Sequence, residues 1–401
     1  MIRLLTFTTL YPNATASGHG IFVETRLRQL LRSGAASASV VAPVPWFPST
    51  NARFGDYARF AAVPARERRH GIDVEHPRYL LLPRIGMSLA PGSLARCAIS
   101  TVRRLVAQGL EFDLIDAHYF YPDGVAAILL GEALGKPVVV TARGSDINLI
   151  AQLPGPRRKI IDAARRCAAV VTVCQALKDS MVALGADASH VTVLRNGVDL
   201  EAFHPEPREE ARGAFGLSRF TLVSVGNLLE LKGHDLCIRA VAEMPDTELL
   251  IAGGGPEEAR LRAMAETLGV GNRVRLLGRL PQERLRTLYS AADALVLASS
   301  REGWANVLLE SMACGTPVVA TDVGGSREVI TAPEAGTLIA ERSPSGIKAG
   351  VSALRGCMPD RSDTRRFAER FGWEETTKGQ LDLFRSVLRR PREARVEVAH
   401  A

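Results

Sequence analysis

In its second half the chain repeats one pattern: a short apolar run, a turn carrying glycine or a small polar residue, then a stretch of helical periodicity. The apolar runs lie at 220–225, 248–252, 274–277, 294–298 and 317–320. Strands separated by helices cannot be joined by tight hairpins. The alternation therefore predicts a parallel, doubly wound α/β sheet with right-handed crossovers. The first half follows the same rule, with strands expected at 2–8, 39–42, 112–117, 137–141, 170–173 and 191–194. Between the two series, residues 204–212 turn to proline and charge, as linkers do. At 401 residues the chain is long enough for two such domains, placed at 1–203 and 204–371, with a tail at 391–401.

The stretch with most chemistry follows the run at 294–298. A polar loop at 299–303 leads to Asn306, which can cap a helix whose apolar face is Val307, Leu308 and Met312. Gly315 stands where a helix C′ residue belongs, and Pro317 follows it. Glu302 thus lies in a loop above a strand end, and Glu310 lies inside the helix about two turns on. The unpaired N–H groups of the first helical turn sit between them and can hold an anion. A carboxylate accepts two hydrogen bonds from a vicinal diol. The arrangement suits a ligand with an anionic middle and hydroxyl-bearing ends, which is the layout of a nucleotide sugar. Either glutamate alone reads better as a solvated or capping residue; the whole string gives the pair its weight.

That string, Glu302-Gly303-Trp304-Ala305-Asn306-Val307-Leu308-Leu309-Glu310, continues through Cys314-Gly315-Thr316-Pro317-Val318-Val319-Ala320-Thr321-Asp322-Val323-Gly324-Gly325. It resembles the Glu-x7-Glu signature of the family 4 retaining glycosyltransferases. The likeness takes in nearly the whole chain, most clearly at 226–330 and least at 43–110. It implies the GT-B fold: two facing Rossmann-like, doubly wound parallel-sheet domains, with a C-terminal helix at about 372–390 crossing back to the first and the active site in the cleft. It implies a retaining hexosyltransferase that moves a hexose from a UDP-sugar or GDP-sugar to a hydroxyl of a glycan acceptor.

The resemblance also assigns residues. Glu302, His118 and Lys232 would be catalytic: Glu302 holding sugar hydroxyls, His118 approaching the donor sugar, Lys232 neutralising the departing diphosphate. Glu310 would hold the ribose, with Gly303, Trp304, Ala305, Asn306 and Val307 around the diphosphate. Gly20 in the first domain, Gly253 and Gly255 at a strand end, and the backbone at Arg279 and Leu280 near the base complete the donor set. Asn227 stands where the family usually has arginine, which keeps a donor but loses a charge. Arg143-Gly144-Ser145-Asp146 stands where most members have His-Gly-x-Asp. The Arg143 fork can bind an acceptor phosphate and Asp146 can cap the next segment; both are acceptor-side candidates.

The net charge of +7 suits an anionic partner. Small basic groups at Arg66/Arg68/Arg69, Arg103/Arg104, Arg157/Arg158/Lys159 and Arg165/Arg166 lie in the first half. No basic stripe with aromatic platforms points to nucleic acid. Residues 43–70 read as one long irregular loop bearing Trp46, Phe47, Phe54, Tyr57 and Phe60 among arginines, which suits an anionic membrane surface. The strings Tyr119 to Gly124 and Gly303 to Asn306 resemble members that build exopolysaccharide or teichuronic-type polymers, which implies a polyprenyl-linked acceptor. No apolar run reaches about 18 residues and the N-terminus lacks a full signal-peptide pattern. A cytoplasmic enzyme, peripheral on the inner membrane face, is expected. The 6 cysteines show no C-x-x-C pair and read as packed thiols. Neither a metal nor a cofactor is expected. Two other readings are a sugar-nucleotide epimerase on the same fold and an NAD-dependent dehydrogenase. Against the second, Gly18-His19-Gly20 is an incomplete dinucleotide fingerprint, with Val23 at its third glycine position and no acid ending the next strand.

Overall fold

The computed structural model describes residues 1–81 and 86–390; the expected tail at 391–401 lies outside them. The chain divides into two compact units, Met1–Arg195 joined by the segment from Glu374, and Asn196–Trp373. The expected boundaries at 203/204 and 371/372 thus fall instead at Arg195/Asn196 and Trp373/Glu374. The cause is local. The Val198 N–H donates to the Phe371 carbonyl at 2.9 Å, and a Cβ on Gly197 would lie 2.7 Å from the Gly372 oxygen. The turn 196–199 is therefore knitted into the second unit.

The first unit contains β1 (Ile2–Phe7), β2 (Ala36–Val41), β3 (Val44–Pro45), β4 (Arg66–Arg69), β5 (Ile72–Glu75), β6 (Arg78–Tyr79), β7 (Leu114–His118), β8 (Val138–Ala142), β9 (Ala169–Thr172) and β10 (Val191–Val193). One sheet runs β10-β9-β8-β7-β1-β2-β5-β4, and β3 and β6 form a separate two-stranded sheet. Every neighbour pair is parallel except β4 with β5. Parallel strands covered on both faces read as apolar runs, which is why most were legible. The β4–β5 hairpin was not. Its strand Arg66-Glu67-Arg68-Arg69 is charged, and it is held to β5 by Arg66 on Glu75 and Arg68 on Asp73. The span 43–70 is accordingly not one irregular loop: it holds β3, the short helices Ala52–Phe54 and Asp56–Ala62, and β4.

The last helix, Glu374–Arg389, completes this unit. Leu381, Phe384 and Val387 recur at helical spacing and are buried with Ile2, Leu4, Leu114, Val139 and Val171. Burying each contributes roughly 1.5–3 kcal/mol. Gln380 on the same face takes a hydrogen bond from the buried Arg26 at 3.0 Å and donates to Asp116 at 3.3 Å.

The second unit is a six-stranded parallel sheet of β11 (Phe220–Val225), β12 (Thr247–Ala252), β13 (Val274–Gly278), β14 (Ala294–Leu297), β15 (Val318–Thr321) and β16 (Gly336–Ile339), in the order β13-β12-β11-β14-β15-β16. The sequence pattern missed β16, which buries only Ile339. Strand order reverses between β11 and β14. Crossover helices leave a sheet on opposite faces at such a point, which opens a crevice beyond the carboxyl ends of the two strands. In the first unit the reversal falls between β1 and β7.

Candidate functional site

The loops that leave β11 and β14 meet at the reversal point of the second unit. After β11 the chain turns through Gly226, Asn227 and the buried Leu228 into a single 3-10 turn, Glu230–Lys232. Gly233 follows with φ 67°, and a Cβ there would lie 2.2 Å from the Ala298 carbonyl oxygen at the end of β14. Only glycine permits that approach. The Ser300 N–H donates to the Leu231 carbonyl at 2.8 Å and ties the two loops together. Arg342, just past β16, donates to the carbonyls of Ala298 at 2.8 Å and Glu230 at 3.3 Å. No motif marked this arginine; it braces both loops from behind.

Across this junction the Lys232 Nζ lies 2.6 Å from Glu302 Oε1, and the Ser299 hydroxyl donates to the same oxygen at 2.6 Å. Both charged side chains are largely shielded, with relative exposures of 22% and 10%. A charge-assisted contact of this geometry is strong, and it leaves Glu302 Oε2 available to a ligand hydroxyl. The Glu302–Gly303 backbone is fixed in turn by the loop after β15. Gly324, at φ 52°, would place a Cβ 2.0 Å from the Glu302 carbonyl oxygen, and the Gly325 N–H donates to Gly303 at 3.2 Å.

The helix Asn306–Ala313 starts here. Its N-cap is Ala305, without a side-chain cap, so the expected capping by Asn306 does not occur. Asn306 is the first helical residue instead, and its Oδ1 accepts from Asn196 at 3.3 Å. An N-terminus uncapped by a side chain suits an anion. The buried face includes Leu308, Leu309 and Met312, while Val307 is half-buried. Gly315 has φ 77° and its N–H donates to Met312 at 2.8 Å, the expected C-terminal stop. The Trp304 indole N–H is buried with no acceptor among the described residues. Glu310 sits just over one turn along, and Tyr289 donates to its Oε2 at 2.9 Å. Burial pushes its carboxyl up to about 7, against that hydrogen bond. Oε1 is left to receive a diol.

Gly253 and Gly255 join this cluster for steric reasons. A Cβ would lie 1.8 Å from the Gly226 oxygen in the first case and 2.4 Å from the Leu228 oxygen in the second. Arg279 and Leu280 follow β13, beside these glycines, and the Gly253 N–H donates to the Gly278 carbonyl at 2.8 Å. All the donor-side candidates from 227 to 310 therefore gather at one end of one sheet.

The first-unit candidates form their own group at the β1/β7 reversal. His118 ends β7 and is 1% exposed. Its Nδ1 accepts from Arg143 Nη2 at 2.8 Å, and its Nε2 faces Asp116 Oδ2 at 3.3 Å. The Arg143 bond requires a bare Nδ1, so Nε2 carries the proton and donates to Asp116. Burial holds the ring down at about 4, so it is neutral. Both ring nitrogens are thus engaged inside the unit, and an imidazole directed at a sugar is not what the side chain presents. Arg143 also packs over the Phe22 ring, 5.3 Å from its centroid. Asp146 does more than cap: fully buried, it accepts from the backbone N–H groups of Phe120 at 2.8 Å, Gly144 at 2.7 Å and Arg143 at 3.1 Å. That pins the turn after β8 to the end of β7 and leaves no free carboxylate for an acceptor. Gly20 has φ 66° and would meet the Leu10 oxygen at 2.2 Å with any Cβ, so its glycine is a backbone requirement. Asp123 at the same reversal is buried and holds Thr9 through that residue's N–H and hydroxyl.

Comparison with known proteins gives a consistent result. The model for "Glycosyl transferases group 1" matches residues 207–370, and that for "Glycosyltransferase Family 4" matches residues 53–202. The chain is 30% identical to D-inositol 3-phosphate glycosyltransferase 2 of Catenulispora acidiphila over 81% of its own length and 82% of that protein. It is 31% identical to the putative teichuronic acid biosynthesis glycosyltransferase TuaC of Bacillus subtilis, with the same shares covered. Among solved structures, sucrose-phosphate synthase of Thermosynechococcus elongatus superposes with a TM-score of 0.79 at 18% identity, covering 96% of this chain and 99% of that one. HepE of Anabaena, in complex with UDP and glucose, gives 0.73 at 22% identity, covering 96% and 100%. The fold is GT-B, and this chain belongs to the family 4 glycosyltransferases.

Proposed function

We propose that this protein transfers a hexose from a nucleoside-diphosphate sugar to a hydroxyl of a glycan acceptor, with retention at the anomeric carbon. The observation that carries the reading is the Lys232–Glu302 pair at 2.6 Å, set beside the helix that begins at Asn306 and bears Glu310. The second unit would hold the donor: Glu302 on the hexose hydroxyls, Glu310 Oε1 on the ribose, and Lys232 with the first-turn amides on the diphosphate. In the reaction the bond from the anomeric carbon to the phosphate oxygen breaks, and a bond to the acceptor oxygen forms on the same face. Positive charge grows on the sugar and negative charge on the diphosphate, where Lys232 and the amides act most strongly. The leaving phosphate oxygen can take the acceptor proton, so no side-chain base is assigned. Lys232 supplies the neutralising charge that a metal would otherwise bring, and we expect activity to survive a chelator. UDP in HepE makes a uridine nucleotide the first donor to try.

The acceptor would be a polyprenyl-linked glycan of surface-polymer synthesis, met at the membrane. Arg143 would be the acceptor-side cation, while Asp146 is withdrawn from that role. Part of the basic support is spent: Arg66 and Arg68 pair with β5, Arg69 with Glu24, Arg104 with Glu75, and Arg166 with Glu132 and Asp162. What favours membrane contact is an apolar surface. Trp46, Leu80, Met87 and Leu89 are each about half exposed, and Lys159 lies beside them, donating to the Ser88 carbonyl. Among the described residues no helix is long and apolar enough to cross a membrane.

A thermal-shift panel of UDP, GDP, ADP and their sugars tests the donor assignment: one diphosphate series should stabilise the protein and Glu302→Ala should abolish the gain from the sugar. No shift with any of them refutes it. Product analysis with donor alone separates an epimerase, and sedimentation with anionic against zwitterionic vesicles tests membrane contact.

A further inference from the structure

We propose that the side chain of Arg279, held in place by Asn227, is a second cation for the donor diphosphate. The proposal rests on the reading above, that the second unit binds a nucleoside-diphosphate sugar, and adds to it a group that neither the signature nor the backbone near the base would supply.

The charges at this end of the sheet pose the question. Lys232 faces Glu302 at 2.6 Å, so part of its charge is already offset before a diphosphate arrives. The Arg342 guanidinium is turned onto the carbonyls of Ala298 and Glu230. A diphosphate brought there needs a cation that no carboxylate already claims. Arg279 meets that need. It is exposed, and its hydrogen-bond partners are neutral oxygens: Asn227 Oδ1, 3.4 Å from Nη1, and the Gly254 carbonyl, 3.5 Å from Nη2. No carboxylate pairs with it among the described residues. A guanidinium has five N–H donors, so most remain for a ligand, in a fork that matches two phosphate oxygens.

Its position is built. The Gly253 loop lies so close to Gly226 that a Cβ on Gly253 would stand 1.8 Å from the Gly226 oxygen. Gly254 lies under the arginine, and a Cβ there would come within 3.0 Å of Arg279 Nε and 3.2 Å of its Cγ. The side chain therefore lies flat across the glycine loop, toward the turn that leaves β11. Asn227 is the first side chain of that turn to reach it. Where an arginine at 227 would bring the charge from β11, here the charge arrives from β13 and asparagine orients it.

Titration calorimetry with UDP, UMP and uridine, repeated with GDP, GMP and guanosine, tests this on the full-length protein. Wild type should prefer the diphosphate. Arg279→Gln should weaken diphosphate binding about tenfold, the loss of one charge-assisted hydrogen bond, and leave nucleoside binding unchanged. Asn227→Arg added to Arg279→Gln should restore the preference. A thermal melt unchanged from wild type confirms that the exposed substitution leaves the fold intact. An equal loss for nucleoside and diphosphate would assign Arg279 to the base and overturn the proposal, as would an unchanged preference. If wild type bound neither diphosphate, the donor-binding reading itself would fall.

Discussion

Replacing Glu310 with glutamine should stabilise the protein while weakening its grip on nucleotide. Burial lifts the Glu310 carboxyl from 4.5 to about 7, with the Tyr289 hydroxyl on Oε2 at 2.9 Å. In the unfolded chain a glutamate ionises near 4.3. Between these values the folded protein keeps a proton that the unfolded chain has released. Stability therefore falls as pH rises from about 4.5 to about 7, and stays lower above that. At about 1.4 kcal/mol for each pH unit the loss reaches roughly 3 kcal/mol, an upper figure because part of Glu310 still meets solvent. Glutamine cannot ionise, yet its amide oxygen can still accept from Tyr289. At pH 8 Glu310→Gln should melt several degrees above wild type, at ~2–4 °C per kcal/mol for a domain of this size. The gap should narrow steadily toward pH 5. Losing a charged acceptor for the ribose diol should cost about 1.5–3 kcal/mol of nucleoside affinity. Thermal melts from pH 5 to 8 and calorimetric titration read both effects. Parallel melting curves for the two proteins would refute the burial argument, and undiminished nucleoside affinity would refute the ribose contact.

Three further outcomes follow from the same geometry. Lys232→Met should lower kcat/KM by about a hundredfold or more, as loss of a preorganised charge does, with Lys232→Arg recovering part of it; steady-state kinetics would expose a merely structural lysine by near-normal turnover. Gly324→Ala puts a Cβ 2.0 Å from the Glu302 oxygen at φ 52° and should abolish activity and lower the melting point, whereas Gly18→Ala meets nothing within 4 Å and should do neither. His118, held down at about 4 by burial, binds fewer protons folded than unfolded, so its contribution is complete above about 6.5 and is lost as pH falls toward 4; His118→Asn should flatten that limb of the stability profile, and an unchanged acid limb would contradict the buried, neutral ring.

The fold was legible where burial on both faces writes apolar runs, as in β7, β8, β14 and β15. It was hidden where charge pairs hold a strand, as in β4, or where one residue is buried, as in β16. The clustering of the candidate donor-side residues was legible because they follow strands directly, so Glu302, Lys232, Gly253 and Arg279 come together once the strand order is known. Roles carried by distant contacts were not. Asp116, two positions earlier on the same strand face, is a partner the sequence offers to His118, but nothing nearby announces that Arg143 will cap the other ring nitrogen. Nothing near Arg342 says that its guanidinium will brace two loops that lie far away in the chain. Asp146 is the intermediate case: a carboxylate after a glycine reads as a cap, but the N–H of Phe120 reaches it from the segment that follows another strand.

The placement of the last helix governs how the polypeptide can mature on the ribosome. The second unit is one unbroken segment, Asn196–Trp373, and can reach its native state as soon as that segment emerges. The first unit must wait, because Leu381, Phe384 and Val387 fill its interior and Gln380 satisfies Arg26 and Asp116. The half made earliest is therefore finished latest. A nascent chain arrested before Glu374 would display an unfilled apolar seam, an invitation to chaperones, while the later-made half already stood complete.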